Sequence, residues 1–370
     1  MVSAKAKILY LSNLFYPEPW NGIMESVRLL IAGLDRERFD PVIAVRPDDG
    51  TQTLTLAERA HAAIRPLSRS RSSQEIRELC RAESFDIVHI QTPVTASVPR
   101  LALGARLGRA RQIIVTYHLV QTVRLPLRTR LINWWTHRLL VDRTIAVSEG
   151  VAQSLARVSG LERKRITVLY NGVAPEEDGV APPTWKLPRL KDEVWVGYFG
   201  RLAVEKGVNH LITALALLKD QLPALRLVLV GDGYLLPELE AQVQAAGLSG
   251  RVLFLGYRID ARQLMRQVDL VVLPSLVEGL PYVLIEAMEA SRPVVASRIP
   301  GTSEVVEDGV TGLLVPPEAP QDLSDALATL ARDRDLRSKM AERAHQRFLA
   351  KFDARRMVDG MLRVYEAPER

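Results

Sequence analysis

Short apolar runs of about four to six residues recur along the whole chain, each followed by a longer stretch with helical spacing, and few folds accept that alternation. In the first half the runs are Ile8–Leu11, Val42–Val45, Ile87–Ile90, Ile113–Tyr117, Thr144–Val147 and residues 166–169. Helical patterns lie between them, among them Ser26–Leu34, Ser73–Arg81 and Val94–Leu107. The second half repeats the scheme with Val194–Phe199, Leu225–Val230, Val252–Leu255, Leu270–Leu273, Val294–Ala296 and Gly312–Val315. Its helical stretches include Val208–Lys219, Pro237–Ala246 and Leu284–Glu289. Strands that alternate with helices build parallel, doubly wound sheets, so an α/β chain with two Rossmann-like domains is expected. A length of 370 residues also suits two cores better than one. The break falls in Ala174–Asp192, which holds four prolines and no periodic pattern. Domains are therefore expected at 1–178 and 193–353, joined by a linker at 179–192. Three helices close the chain after Pro316, the last over Ala354–Tyr365 with an apolar face of Met357, Met361, Val364 and Tyr365.

Composition bounds the setting. The chain is 47% hydrophobic and 25% charged, as globular proteins are. Its single cysteine, Cys80, precludes an internal disulfide, which points to a reducing, cytoplasmic compartment. The apolar run near the N-terminus is interrupted at Ser12 and Asn13 and reads as a strand, not as a leader. No apolar stretch approaches the roughly 18 residues that a membrane-spanning helix needs. The net charge of +6 lies in the first half and concentrates between Arg100 and Arg143, where arginines face a single acidic residue, Asp142. Trp134 and Trp135 sit among them. Such a stretch suits an anionic membrane surface, with a peripheral position at the inner membrane face, or an acidic substrate. A solvated arginine-rich surface over two core tryptophans accounts for the same composition. No nucleic-acid module accompanies the charge, so nucleic acid is not an expected partner.

Five signals fall at strand C-termini, the edge where open α/β sheets bind ligands. The richest is Pro274–Val295, in which Glu278 and Glu286 are separated by seven residues. Pro281 suits the start of a helix, which puts Glu278 in the loop before it and Glu286 inside it. Free N–H groups there favour an anion, while carboxylates accept hydrogen bonds from hydroxyls. A ligand with phosphates and vicinal diols, such as a nucleotide sugar, fits both. Gly200-Arg201 and Lys206-Gly207 flank the start of another helix. Cations there are costly unless an anion lies between them, so they suggest a diphosphate clamp, although an exposed ion pair with Glu205 explains them equally. Gly231-Asp232-Gly233 is a tight turn that needs no ligand. Pro300-Gly301-Thr302 could open a helix toward a phosphate or form a plain capping box. Asn21-Gly22 precedes a helix expected near Met24, and His118 ends the strand Ile113–Tyr117.

As an ordered set, Gly200-Arg201, Lys206-Gly207, Gly231-Asp232-Gly233, the Glu278/Glu286 pair, Pro293–Ser297, Pro300–Val315 and Asn171-Gly172-Val173 resemble the retaining glycosyltransferases of family 4. The resemblance covers nearly the whole chain and is strongest over 194–316. It implies the GT-B fold, with two Rossmann-like domains facing a cleft and residues 354–370 returning to the N-terminal, acceptor-binding domain. The C-terminal domain would hold the nucleotide sugar. His118, Glu278, Arg201 and Lys206 are then the implied catalytic residues. Implied donor contacts are Gly22, Gly200, Arg201, Lys206, Gly231, Gly233, Tyr257, Arg258, Glu278, Gly279, Leu280, Pro281 and Glu286. Glu286 would bind the ribose, Arg201 and Lys206 the diphosphate, and Glu278 and His118 the transferred sugar. The donor is a nucleotide-diphosphate sugar, UDP-sugar first. The acceptor is a lipid-linked or soluble carbohydrate, and no cofactor or metal is implied. Dehydrogenase chemistry is rejected because Leu11 is followed by no G-x-G-x-x-G. A non-catalytic sugar-nucleotide binder on the same scaffold is disfavoured by the intact Arg201, Lys206, Glu278 and Glu286. Pro281 stands where many members have glycine and removes a backbone donor, so no particular sugar carries over.

Overall fold

A computed structural model describes residues 5–12, 22–45, 50–68, 72–93, 95–176 and 185–367. The chain divides into two compact units, Met1–Ala174 with Ala354–Arg370, and Pro175–Asp353. In the first unit the strands are β1 (Ala6–Ser12), β2 (Phe39–Val45), β3 (Ala63–Pro66), β4 (Ile87–Thr92), β5 (Gln112–Tyr117), β6 (Arg143–Ala146) and β7 (Ile166–Val168). They form one sheet in the order β3-β2-β1-β4-β5-β6-β7. Every pairing is parallel. Helices cover both faces, so β4 and β5 are buried along their full length, and β5 carries the apolar run Ile113–Val115.

Strand β3 carries no such signature. It is half-exposed, holds one large aliphatic residue, Ile64, and owes its conformation to register against β2, with Val42 opposite Ala63. Pro66 is tolerated because the strand lies at the sheet edge. The first helix begins at Gly22, earlier than Met24, and Asn21 lies outside the described residues. The expected helix over Val94–Leu107 begins at Val98, with proline in its first turn; Val94 lies outside the described residues.

The C-terminal helix, Ala354–Glu366, belongs to the first unit. Met357, Met361 and Tyr365 are buried in the same core as Ile8, Tyr10 and Val27. The helix comes close because a glycine faces it and another lies within it. A Cβ on Gly33 would sit 2.7 Å from Val358, and one on Gly360 2.4 Å from Leu169. Asn171-Gly172-Val173 serves the same packing. The Gly172 N–H reaches Met357 Sδ at 3.3 Å, and the Ala354 N–H donates to the Val173 carbonyl at 3.0 Å.

The second unit holds β8 (Val194–Phe199), β9 (Leu225–Val230), β10 (Val252–Phe254), β11 (Leu270–Leu273), β12 (Val294–Ser297) and β13 (Gly312–Val315). Their order is β10-β9-β8-β11-β12-β13, again all parallel. The winding reverses between β8 and β11. Such a switch point is where doubly wound sheets take their ligands. Of the proline-rich stretch, the described part is tied to this unit: the Leu187 N–H donates to Gln267 Oε1 at 2.9 Å, and Arg189 pairs with Asp269 at 2.9 Å.

Candidate functional site

At the switch point of the second unit, three loops lie against one another backbone to backbone. The chain after β8 and the chain after β9 touch at Gly231, where φ is +140° and an added Cβ would stand 1.9 Å from the Gly200 carbonyl oxygen. A Cβ on Gly233 would meet the Leu202 oxygen at 2.2 Å. Loop β8 also abuts the end of β11, since Gly207, at φ +64°, leaves only 2.2 Å between its would-be Cβ and the Pro274 oxygen. Backbone bonds hold the arrangement: Gly200 N–H to Val230 O at 2.9 Å, Leu202 N–H to Asp232 O at 2.9 Å, and Leu276 N–H to Glu205 O at 2.8 Å. The Gly231-Asp232-Gly233 turn is therefore a close-packing device as well as a tight turn.

These contacts bring together two side chains far apart in sequence. Lys206 Nζ lies 2.6 Å from Glu278 Oε1. Glu278 is 9% exposed, and Leu280 and Pro281 beside it are buried. Pro281 is the N-cap of the helix over Tyr282–Glu289, at the helix start. Glu286 lies a turn inside that helix and is half-buried. Gly279 supports the loop from the other side: a Cβ on Gly301 would stand 2.5 Å from its carbonyl oxygen. Thr302 caps its own helix, accepting from the Ile299 N–H at 3.2 Å, so this segment shapes the site by packing. Ser275, the second residue after β11, is fully buried and its Oγ has no hydrogen-bond partner. It was not anticipated; the only hint was its place at a strand end.

The remaining donor-side residues are on the same edge but committed elsewhere. Arg201 pairs with Glu205 at 2.6 Å across an exposed turn, the alternative the sequence left open. Arg258 makes a two-pronged pair with Asp260 at 2.9 and 2.8 Å, while Tyr257 is exposed. The Gly231 N–H bonds Gly256 O at 2.8 Å and so joins their loop to the others. Among the described residues no group of three or more His, Cys, Asp or Glu is arranged to hold a metal.

In the first unit, Gly22 opens the first helix and His118 follows β5. His118 is 4% exposed, and burial pushes its pKa down to about 3, so the ring is neutral. Its Nε2 lies 2.6 Å from Gln91 Oε1. Its Nδ1 is buried and has no partner. Gln91 and His89 on β4 were not singled out. The signal was there: two large polar side chains, two apart, in a wholly buried strand.

Residues 184–347 match the family model of glycosyl transferases group 1, and residues 20–177 that of glycosyltransferase family 4. The chain belongs to the family 4, group 1 glycosyltransferases. Among relatives, it is 31% identical over 288 residues to the phosphatidyl-myo-inositol mannosyltransferase of Mycobacterium leprae, covering 76% of this chain and 73% of that protein. It is 37% identical over 178 residues to the alpha-D-kanosaminyltransferase of Streptomyces kanamyceticus, where the match covers 48% of this chain and spans less than half, 46%, of the relative's length. In structure it is similar to Anabaena HepE in complex with UDP, at a TM-score of 0.81 and 25% identity over 97% of this chain and 99% of that one. The two parallel-sheet domains are those of the GT-B fold class.

This glycosyltransferase also carries a helix whose amphipathicity is inverted. Over Leu127–Leu139 the inward residues are polar: Asn133 donates to Thr95 Oγ1 at 3.1 Å, and His137 is bonded to Tyr117 at 2.9 Å and Thr144 at 2.8 Å. Apolar residues face outward at four-residue spacing, with Leu127 70%, Leu131 51%, Trp135 52% and Leu139 64% exposed. Arg124, Arg128 and Arg138 are exposed among them. Trp134 and Trp135 are therefore not both core residues; they stack edge to face at 4.7 Å, with Arg138 over Trp134 at 5.2 Å. No helix among the described residues is long and apolar enough to cross a membrane.

Proposed function

We propose that the protein moves a hexosyl or N-acetylhexosaminyl group from a UDP-sugar to an acceptor hydroxyl, with retention and without a metal, in glycolipid, polysaccharide or other glycoconjugate synthesis. The observation that carries this reading is the part-buried Lys206–Glu278 pair at the switch point of the second unit. Without a ligand the two groups neutralise each other. A diphosphate draws the Lys206 ammonium to itself, and Glu278 is then free to accept hydrogen bonds from sugar hydroxyls. Arg201 leaves its exposed, weakly held partner for the same anion. Glu286 accepts from the ribose, His118 from the transferred sugar.

Cleavage of the bond between the anomeric carbon and the phosphate oxygen leaves added negative charge on the diphosphate. In this reading Lys206 and Arg201, drawn onto the diphosphate, and the N–H groups at the start of Tyr282–Glu289 stabilise it. The acceptor oxygen bonds the anomeric carbon on the face the phosphate leaves, and the departing phosphate oxygen takes the acceptor proton. Titration with UDP, GDP and ADP, followed by single-turnover transfer from the matching sugars, tests the reading. UDP is expected to bind tightest, and Lys206→Ala plus Arg201→Ala to weaken all three nucleotides alike and to lower transfer. Equal binding of all three, or full transfer by the double variant, would overturn it.

The outward face of Leu127–Leu139 supports an acceptor held at an anionic membrane surface, with the protein on the cytoplasmic side. Exposed leucines and a tryptophan insert at the headgroup level while arginines meet the anionic lipid, each cation adding about 1 kcal/mol near the surface. The protein is expected to float with phosphatidylglycerol vesicles at low salt, to be released as salt rises, and to lose flotation in Leu131→Glu plus Trp135→Glu. No flotation at low salt would leave a soluble acceptor as the reading.

A further inference from the structure

Strand β4 reads Ile-Val-His-Ile-Gln-Thr, and two of its three polar side chains, His89 and Gln91, lie on one face of the sheet, wholly buried. Tyr10 stands in register beside His89, and Thr116 beside Gln91. A buried polar atom is costly unless it finds a partner, and these find one another. His89 Nδ1 lies 2.8 Å from Tyr365 Oη, and that oxygen 2.9 Å from Tyr10 Oη. His89 Nε2 lies 2.8 Å from Thr116 Oγ1 and 3.1 Å from Gln91 Nε2. Gln91 Oε1 closes the chain on His118 Nε2 at 2.6 Å. One atom is left out: His118 Nδ1, buried and unpartnered.

The directions follow from what each atom can do. A carboxamide oxygen only accepts, so His118 Nε2 carries its hydrogen. A carboxamide nitrogen only donates, so His89 Nε2 offers a lone pair and His89 Nδ1 donates to Tyr365. Burial keeps both rings neutral. His118 Nδ1 is therefore a bare lone pair in the free protein, an acceptor waiting for a donor. We infer that Gln91, braced by His89 and through it by Tyr365 of the C-terminal helix, is a positioning residue that locks His118 in the Nε2–H tautomer and so presents Nδ1 to a hydroxyl of the donor sugar. This rests on the assignment of His118 to the sugar in the proposed function. The arrangement selects for a hydroxyl donor at that position; a group that only accepts meets a lone pair and is repelled.

Gln91→Met keeps the length of the side chain and removes the acceptor. Nitrogen-15 spectra of histidine-labelled protein, with the His118 signals identified by their loss in His118→Ala, are expected to show Nε2–H in the parent and the other tautomer or a mixture in Gln91→Met. Gln91→Glu, which still accepts from His118, keeps Nε2–H, and its failure to do so would overturn the inference. In transfer, Gln91→Met is expected to lower kcat by about 10- to 100-fold while the donor KM changes less. It adds no further loss in a His118→Ala background. A fully active His118→Ala overturns the reading of the site and this inference with it. An inactive His118→Ala beside a Gln91→Met of parental kcat and parental ring spectrum overturns this inference alone.

Discussion

Glu278→Gln is expected to cut kcat by a factor of about 10² to 10³, the effect of removing one preorganised electrostatic group, equivalent to about 2.7–4 kcal/mol of barrier. The substitution preserves shape and removes charge. It acts on two things at once, because Glu278 is both the proposed sugar acceptor and the countercharge of Lys206 at 2.6 Å. In the free protein, Lys206 is left with a neutral amide, and with only 20% of its side chain exposed it gains little help from water. The melting temperature should therefore fall as well, by the equivalent of roughly 1–3 kcal/mol. UDP itself should bind no worse, and even somewhat tighter, since the ammonium no longer has to be drawn from a carboxylate. Lys206→Met behaves in the opposite way: UDP affinity drops, and Glu278 is stranded. Because the two residues touch, their effects should not add, and the double variant should cost less than the sum. Calorimetric UDP titration and single-turnover transfer on the four proteins check this. If Glu278→Gln keeps parental kcat while its melting point falls, the pair is structural and the proposed role of Glu278 fails.

Much of this fold is written locally. Parallel strands covered on both faces must be apolar along their length, so the core strands of both sheets are visible as runs such as Ile113–Tyr117 and Leu225–Val230. What resists local reading is whatever depends on a distant neighbour. Strand β3 is a strand because β2 offers it an edge, not because Ala-Ile-Arg-Pro favours one. Leu127–Leu139 defeats periodicity for another reason. A pattern search assumes that apolar residues point inward, whereas this helix buries Asn133, Thr136 and His137 and exposes its leucines. The candidate site divides in the same way. Glu278, Lys206 and His118 could be named from their places at strand ends, but nothing local shows that Lys206 is bonded to Glu278 and His118 to Gln91. The first bond follows from the winding order, which sets the non-consecutive strands β8 and β11 side by side, and the second from the pairing of β4 with β5. Gly231 and Gly233 were readable as a turn; that they are glycines because another backbone passes against them was not.

Gly231→Ala is the second substitution with a large expected effect, and it tests that last point. The residue holds φ at +140°, a region that side-chain-bearing residues rarely enter, which by itself costs about 1–3 kcal/mol. Its added methyl would also stand 1.9 Å from the Gly200 oxygen, which is backbone and cannot rotate away. The β9 loop must then move outward, breaking the bonds from Gly231 N–H to Gly256 and from Leu202 N–H to Asp232. A total loss on the order of 3 kcal/mol is expected in urea unfolding, near the upper end of single substitutions. The functional consequence is larger than the stability loss, because the displaced β9 loop packs against the one that carries Gly200 and Arg201. UDP affinity should fall at least about tenfold even where the protein is fully folded. Gly250→Ala is the control. Nothing lies within 4 Å of its would-be Cβ and its φ is not positive, so it should be neutral or stabilise by up to about 1 kcal/mol through the unfolded chain. If Gly231→Ala matches Gly250→Ala in both urea midpoint and UDP titration, the close approach of the two loops does not govern the site, and the donor must be held by side chains that do not depend on it.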